Sequence, residues 1–233
     1  MSSPNSIVGK SHTSWLLIVS FLVVVLFGIS RAFAEDMTTT TTVNKTGPSQ
    51  SSQIGVFVEP ILLGSSESFS MKSAQLPFVA SNTSGTATGY GLGLRLGIHL
   101  SEFFLGVDGR YDREQMNDSF YQPATAEVFN YGPTLGIQMP YAGLRLMGTY
   151  VMGGQFNAAP GISGLQLNFL NPTGWRAGVG IHIGSVSVNA EYQDLTYGTT
   201  QVASLGSLAV NSNVNMQTET SGYLLSVSFP TEF

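Results

Sequence analysis

Residues 89–100 read GYGLGLRLGIHL, and this alternation limits the fold more than any other feature of the chain. Read with a period of two, it puts Tyr90, Leu92, Leu94, Leu96, Ile98 and Leu100 on one face. Gly89, Gly91, Gly93, Arg95, Gly97 and His99 take the other. A helical period would mix the two sets, and each interior glycine would cost a helix about 1 kcal/mol. A strand sorts them completely, because successive side chains point to opposite faces.

The same sorting recurs over 53–63, 103–112, 128–138, 141–152, 174–183, 186–193 and 223–229. In 103–112, Phe103, Leu105, Val107 and Tyr111 oppose Phe104, Gly106, Asp108, Arg110 and Asp112. In 174–183, Trp175, Ala177, Val179, Ile181 and Ile183 oppose Arg176, Gly178, Gly180 and His182. Most of these runs are close to the 9–11 residues that carry a tilted strand across a bilayer. The connectors alternate in length. Ser101-Glu102, Met139-Pro140 and Gly184-Ser185 are two-residue links, whereas 64–88, 113–127, 153–173 and 198–220 read as long polar loops. A Gly-Ile-x-x unit, at Gly97, Gly136 and Gly180, precedes each short link and supports the hairpin register. The expected fold is all-β: an eight-stranded antiparallel up-and-down transmembrane β-barrel over residues 53–233.

Composition decides which face meets which solvent. Charged residues make up only 10% of the chain, and there are 27 Gly. A water-soluble barrel would carry Lys and Glu on its polar face. Here that face is rich in glycine, and none of the eight runs contains a Lys. The apolar face carries Tyr90, Tyr111, Tyr131, Tyr150, Trp175, Tyr192 and Tyr223 at its loop end and Phe103 and Phe229 at its turn end. Aromatic rims around an apolar band are the interfacial girdles of a membrane barrel. A net charge of −5 leaves no basic footprint for nucleic acid. With no Cys there is no thiolate site, and no metal, cofactor or catalytic group is expected.

The inward face carries Arg95, Arg110, Arg145 and Arg176, and with them Glu59, Asp108, Asp112 and Glu191. Eight strands enclose little more than their own side chains, so these charges must neutralise one another. Two readings follow: a dry salt-bridged interior, or a narrow ion path kept open by the many inward glycines. His99 and His182 also face inward at the turn end, without a third metal ligand in register.

At the N-terminus, Lys10 precedes the apolar run Trp15 to Ile29, followed by Ala32-Phe33-Ala34. A basic segment, an apolar segment and a small-x-small site form a secretory signal peptide, here 1–34, with cleavage after Ala34. Residues 35–52, EDMTTTTTVNKTGPSQSS, offer no apolar face and read as a flexible exported tail.

With its signal peptide, eight alternating strands and aromatic final strand, the chain resembles the small outer-membrane β-barrels of Gram-negative bacteria, of the OmpA-like or OmpX-like type. The resemblance covers about 53–233. It implies placement among outer-membrane lipids and assembly by the barrel-assembly machinery. That machinery would read Tyr223, Leu225, Val227 and Phe229, with either Phe229 or Phe233 as the terminal residue. It also implies a non-enzymatic structural or surface role, with an extracellular ligand taken by the long loops; Phe120, Phe156 and Phe169 are apolar residues expected there. The alternatives are a narrow porin-type channel and a lipid-modifying enzyme, because His99-Leu100-Ser101 is similar to the His-x-Ser of lipid A deacylases. Pro60 and Pro133 depart from the pattern by removing ladder donors, so bulges are expected at both.

Overall fold

The computed structural model of the protein describes residues 54–73, 82–117, 124–139, 143–160, 164–214 and 216–233. The expected signal peptide, the tail and Phe120 lie outside them.

Alternation of the kind seen in 89–100 generates strands throughout: β1 (Ile54–Ser73), β2 (Asn82–Leu100), β3 (Phe103–Asn117), β4 (Ala124–Gln138), β5 (Leu144–Val151), β6 (Gly153–Ala158), β7 (Leu165–Ile183), β8 (Val186–Leu205), β9 (Leu208–Val214), β10 (Met216–Ser228) and β11 (Thr231–Glu232). Every pairing is antiparallel. β1 pairs β2, β2 pairs β3 and β3 pairs β4. β5 and β6 together form the fifth stave, between β4 and β7. β7 pairs β8, β8 pairs β10, and β10 returns to β1. The ring closes with eight staves in chain order, which is an up-and-down barrel. β9 is a hairpin extension of β8.

The staves are longer than the sequence reading. β1 and β8 run 20 residues, β2 and β7 run 19, and β3 and β4 run 15. Much of what reads as loop in 64–88, 113–127, 153–173 and 198–220 is strand. The period of two continues there, but the chemistry changes faces. On β3 the outward residues pass from Phe103, Leu105, Val107 and Tyr111 to Arg113, Gln115 and Asn117. The inward residues pass from Asp108, Arg110, Asp112 and Glu114 to Met116. Below the tyrosines the barrel is apolar outside and charged inside. Above them it is mainly polar outside and, past a layer of buried acids, apolar inside.

That upper interior is a packed core. Phe69, Met71, Met116, Phe156, Leu167, Phe169, Leu195 and Tyr197 are all buried in it. The rings of Phe156, Phe169 and Tyr197 meet edge to face at 5.6 to 6.1 Å. Phe156 and Phe169 are therefore not loop residues available for adhesion. They close the barrel from within.

Three further expectations need correction. The link after β4 runs from Met139 to Gly143, because β5 starts at Leu144. Gly143 has φ +61, and its carbonyl accepts from the His182 N–H, which ties this turn to β7. Pro60 causes no bulge: pairing with β2 continues through Pro60↔Leu94, and the Pro60 carbonyl accepts from Phe229 N–H. Opposite Pro133 the extra residue lies on the partner stave. Thr134 pairs Thr149 while Tyr131 pairs Gly153, so one residue is inserted around Met152. At the other two short links Ser101 (φ +60) and Gly184 (φ +61) open two-residue turns.

The inward glycines do not leave gaps. Gly89, Gly91, Gly178 and Gly222 each face a long acidic side chain on the neighbouring stave: Glu114, Asp112, Glu191 and Glu67. A Cβ on Gly89 would lie 2.7 Å from Glu114 Cγ, and one on Gly178 would lie 2.6 Å from Glu191 Cγ. A Cβ on Gly91 would run into Asp112 Oδ1 and the Tyr111 carbonyl. Gly91→Ala should therefore destabilise the barrel by about 1–3 kcal/mol through overpacking. Gly109→Ala, outward with nothing within 4 Å of its Cβ, should change the urea unfolding midpoint little. Equal midpoints for the two variants would mean that the lumen has room to spare.

Candidate functional site: the charged lumen

Strand alternation turns all eight charged residues anticipated for the lumen inward, and each is buried. Seven are joined directly. Arg145 holds Glu59 through two hydrogen bonds of 2.6 Å. Arg95 bridges Glu59 (3.1 Å) and Asp108 (2.7 Å). Asp108 also accepts from Arg110 Nε and from Arg176 Nη1, both at 2.9 Å. Arg110 Nη2 reaches Glu191 at 2.7 Å, and Ser226 donates to the other oxygen of Glu191 at 3.0 Å. The result is one continuous chain across β1, β2, β3, β5, β7 and β8. Register brings these residues together: Glu59 pairs Arg95, and Arg95 pairs Asp108.

Asp112 is the exception. It is buried beside the network, but among the described residues it makes no ion pair, and its Oδ1 has no hydrogen-bond partner. Two more buried acids, Glu67 and Glu114, stand above it. The sequence reading missed both, because they sit in segments taken as loops. Among the described residues the lumen thus carries six acids against four arginines, and the balance of four against four does not hold. Gln193 links the two levels: Arg176 donates to Gln193 Oε1 at 3.0 Å, and Gln193 Nε2 donates to Glu67. Ser65 donates to Glu114 at 2.9 Å.

Glu67 and Glu114 lie above the apolar belt, where their outward neighbours are Ser66, Ser68, Arg113 and Gln115. Burial, with Asp112 close by, pushes Glu67 up to about 7. Burial, with Glu67 and Asp112 adding like charge, also holds Glu114 well above the ordinary carboxylate range.

Below the network, Phe57, Phe104 and Met147 form an apolar floor. The Arg145 guanidinium lies 4.5 Å from the centre of the Phe104 ring, a favourable cation–π distance. At the turn-end mouth His99 Nδ1 lies 2.6 Å from Glu232, and His182 Nδ1 lies 2.8 Å from Ser187 Oγ. Among the described residues no group of three His, Cys, Asp or Glu is placed to hold a metal ion.

On the outside, Tyr90, Tyr111, Tyr131, Tyr150, Trp175 and Tyr223 are exposed and Tyr192 half-exposed; Phe129 and Met152, also exposed, lie beyond Tyr131 and Tyr150 on their staves. The final stave continues through Pro230: Val58 pairs Thr231, and Phe233 N–H donates to the Val56 carbonyl. Tyr223, Phe229 and Phe233 are exposed and Leu225 half-buried. Val227 shares their parity but is buried between its register partners Leu62 and Val188.

A closed ring with this belt and these rims is the architecture of a transmembrane β-barrel. No protein-family model and no curated protein matches the sequence. Among solved structures the chain is similar to Neisserial surface protein A (12% identity, 74% of this chain and 96% of that one, TM-score 0.41). It is also similar to Ail, the attachment invasion locus protein of Yersinia pestis, solved with a heparin analogue (14% identity, 76% and 99%, TM-score 0.39). A third similar structure is the outer membrane protease OmpT of Escherichia coli (9% identity, 84% and 100%, TM-score 0.37).

Two outcomes are expected. Arg145→Met strands Glu59 with half its partners and should cost about 3–5 kcal/mol in urea unfolding, the usual loss when a buried pair is broken. A loss under 1 kcal/mol would mean that water reaches this layer. The second concerns pH. A carboxyl raised in the folded state stabilises fully below its unfolded value near 4, and that contribution is lost as pH rises through about 7. The unfolding midpoint should fall between pH 5 and pH 9, and Glu67→Gln should flatten that fall.

Proposed function

We propose that this chain is a non-enzymatic outer-membrane β-barrel protein of the small OmpA-like or OmpX-like type, with a plugged interior and a structural or surface-interaction role. The observation that carries the reading is the pairing of a lipid-compatible belt outside with a neutralising charge network and an apolar cap inside. An apolar belt rimmed by tyrosines suits a bilayer, and short turns at one end with long staves at the other suit periplasmic and external sides respectively. The expected signal peptide over 1–34 would carry the chain into export.

The filled lumen weighs against the porin-type channel. Floor, network and cap succeed one another along the axis, and the facing side chains occupy the space that the glycines leave. The lipid-modifying reading loses its support because His99 faces the lumen at the turn end, next to Glu232, away from any lipid substrate. Outer-membrane lipid is the surrounding partner. The barrel-assembly machinery is the partner during biogenesis, through Tyr223, Leu225, Val227 and Phe229. Either Phe229 or Phe233 would be the last residue of that signal, and the pairing of Phe233 N–H with the Val56 carbonyl supports Phe233. An extracellular ligand would be met at the external ends of the staves.

Whole-cell labelling tests the reading. A tag inserted at the β8–β9 tip, after Gly206, should be reached on intact cells, and one after Gly184 only once the outer membrane is permeabilised. The reverse pattern would overturn the orientation, and recovery of the protein from the soluble fraction would overturn the membrane reading. Steady single-channel currents in a planar bilayer would replace the plugged barrel with the channel.

A further inference from the structure

Asp112, Glu67 and Glu114 are buried charges that the plugged-barrel role leaves without a counter-charge. Among the described residues the four buried arginines form their ion pairs lower down, with Glu59, Asp108 and Glu191. The other basic residues of β1 and β3, Lys72 and Arg113, are exposed on the outer wall. The excess of acids over arginines in the described lumen is therefore concentrated in this one layer. A second observation points the same way. Asp112 Oδ1 and Glu114 Oε2 have no hydrogen-bond partner, although the two residues are only 1% and 2% exposed. Thr218 Oγ1 and Thr220 Oγ1, buried on β10, have none either. Free buried oxygens of this kind call for a ligand, because native interiors leave few polar groups unsatisfied.

The strands bring these oxygens to one region. Ser65 and Glu67 are successive inward residues of β1, and Glu114 reaches past Gly89 of β2 to the Ser65 hydroxyl at 2.9 Å. Glu67 faces Gly222 of β10, and Thr220, the next inward residue of β10, stands beside it. Asp112 lies one inward position below Glu114 on β3. Above the layer is the apolar cap with Tyr197 of β8, and below it are Arg110 and Arg176. Among the described residues no three acids converge on one point, so carboxylates and hydroxyls must share the ligation. With oxygen as the only free donor, the set suits a hard cation. Calcium accepts irregular sets of carboxylate and neutral oxygens, whereas magnesium demands octahedral geometry and keeps several waters, for which a layer closed above and below is poorly suited. A divalent ion also cancels the charge excess in one step. Protons are the competing occupants, since burial raises Glu67 and Glu114 in their favour while no cation is bound.

We propose that Glu67 and Glu114, with the Ser65 and Thr220 hydroxyls and the negative charge of Asp112 below them, bind a calcium ion inside the barrel. The full chain is refolded into detergent micelles with calcium or with a chelator, and the calcium retained after a chelator wash is counted by elemental analysis. Wild type should keep about one ion per barrel, held beneath the cap. Glu67→Gln/Glu114→Gln should lose it, and Glu219→Gln, which alters an exposed carboxylate of β10, should keep it. No retention in wild type, or equal retention in all three, would overturn the site, the second outcome marking calcium held elsewhere on the surface. A second measurement needs wild type alone. Ligating carboxyls must lose their protons to bind, so calcium should raise the urea unfolding midpoint most at alkaline pH and little in acid. The alkaline fall in midpoint seen with chelator should therefore shrink with calcium. The same fall in both conditions would give the layer to protons and overturn the proposal, even if the double variant misfolds.

Discussion

Asp108 accepts hydrogen bonds from three guanidinium groups, and the rest of the barrel is arranged so that it can. A closed ring of eight staves has a fixed, narrow interior. Charges placed there have no bulk water, so each must find a partner or carry a large desolvation cost. Arg95, Arg110 and Arg176 come from three staves and converge on one carboxylate. Glu59 does the same for Arg95 and Arg145. Long side chains reach across only if something opposite yields, and the glycines yield. Gly91 beside Asp112 and Gly178 beside Glu191 are therefore packing partners of the charged groups, not openings.

The second constraint is a change of solvent along each stave. Where lipid surrounds the barrel, burial of apolar surface is satisfied outward and polar groups gather inside. Where water surrounds it, the hydrophobic effect drives apolar groups inward. β3 shows both regimes in one uninterrupted strand, with Val107 outward below and Met116 inward above. The acid layer of Asp112, Glu67 and Glu114 falls at the join. There the arginines have ended and the apolar cap has begun, which leaves these carboxyls short of cations and Glu67 open to titration near neutrality.

The same change of solvent shapes the exterior. On β2, β8 and β10 the tyrosines mark the level at which the outward face stops being apolar, and the hydroxyl rows on β2, β1, β10 and β8 begin directly above them. The opposite wall, around Gln115 and Thr125, lacks that density of hydroxyls and carboxylates. A barrel that is nearly symmetric in its belt is thus asymmetric in the headgroup layer.

Alternation by itself determined the strands, their inward and outward residues, the turn ends of the barrel and the eight charges of the lumen. These follow from one local rule: neighbouring residues of a strand face opposite ways. The rule held even where strand length was underestimated. The upper halves of the staves were illegible because the expected partner of each face was lipid, and a polar outward face read as loop. For that reason Phe156 and Phe169 looked like surface residues, and Glu67 and Glu114 went unnoticed. Only the tertiary structure decided which arginine meets which acid, that glycines sit across from the longest side chains, and that Phe233 extends the final stave. Those depend on the stagger between strands, and stagger is set when the ring closes, by contacts between residues far apart in the chain.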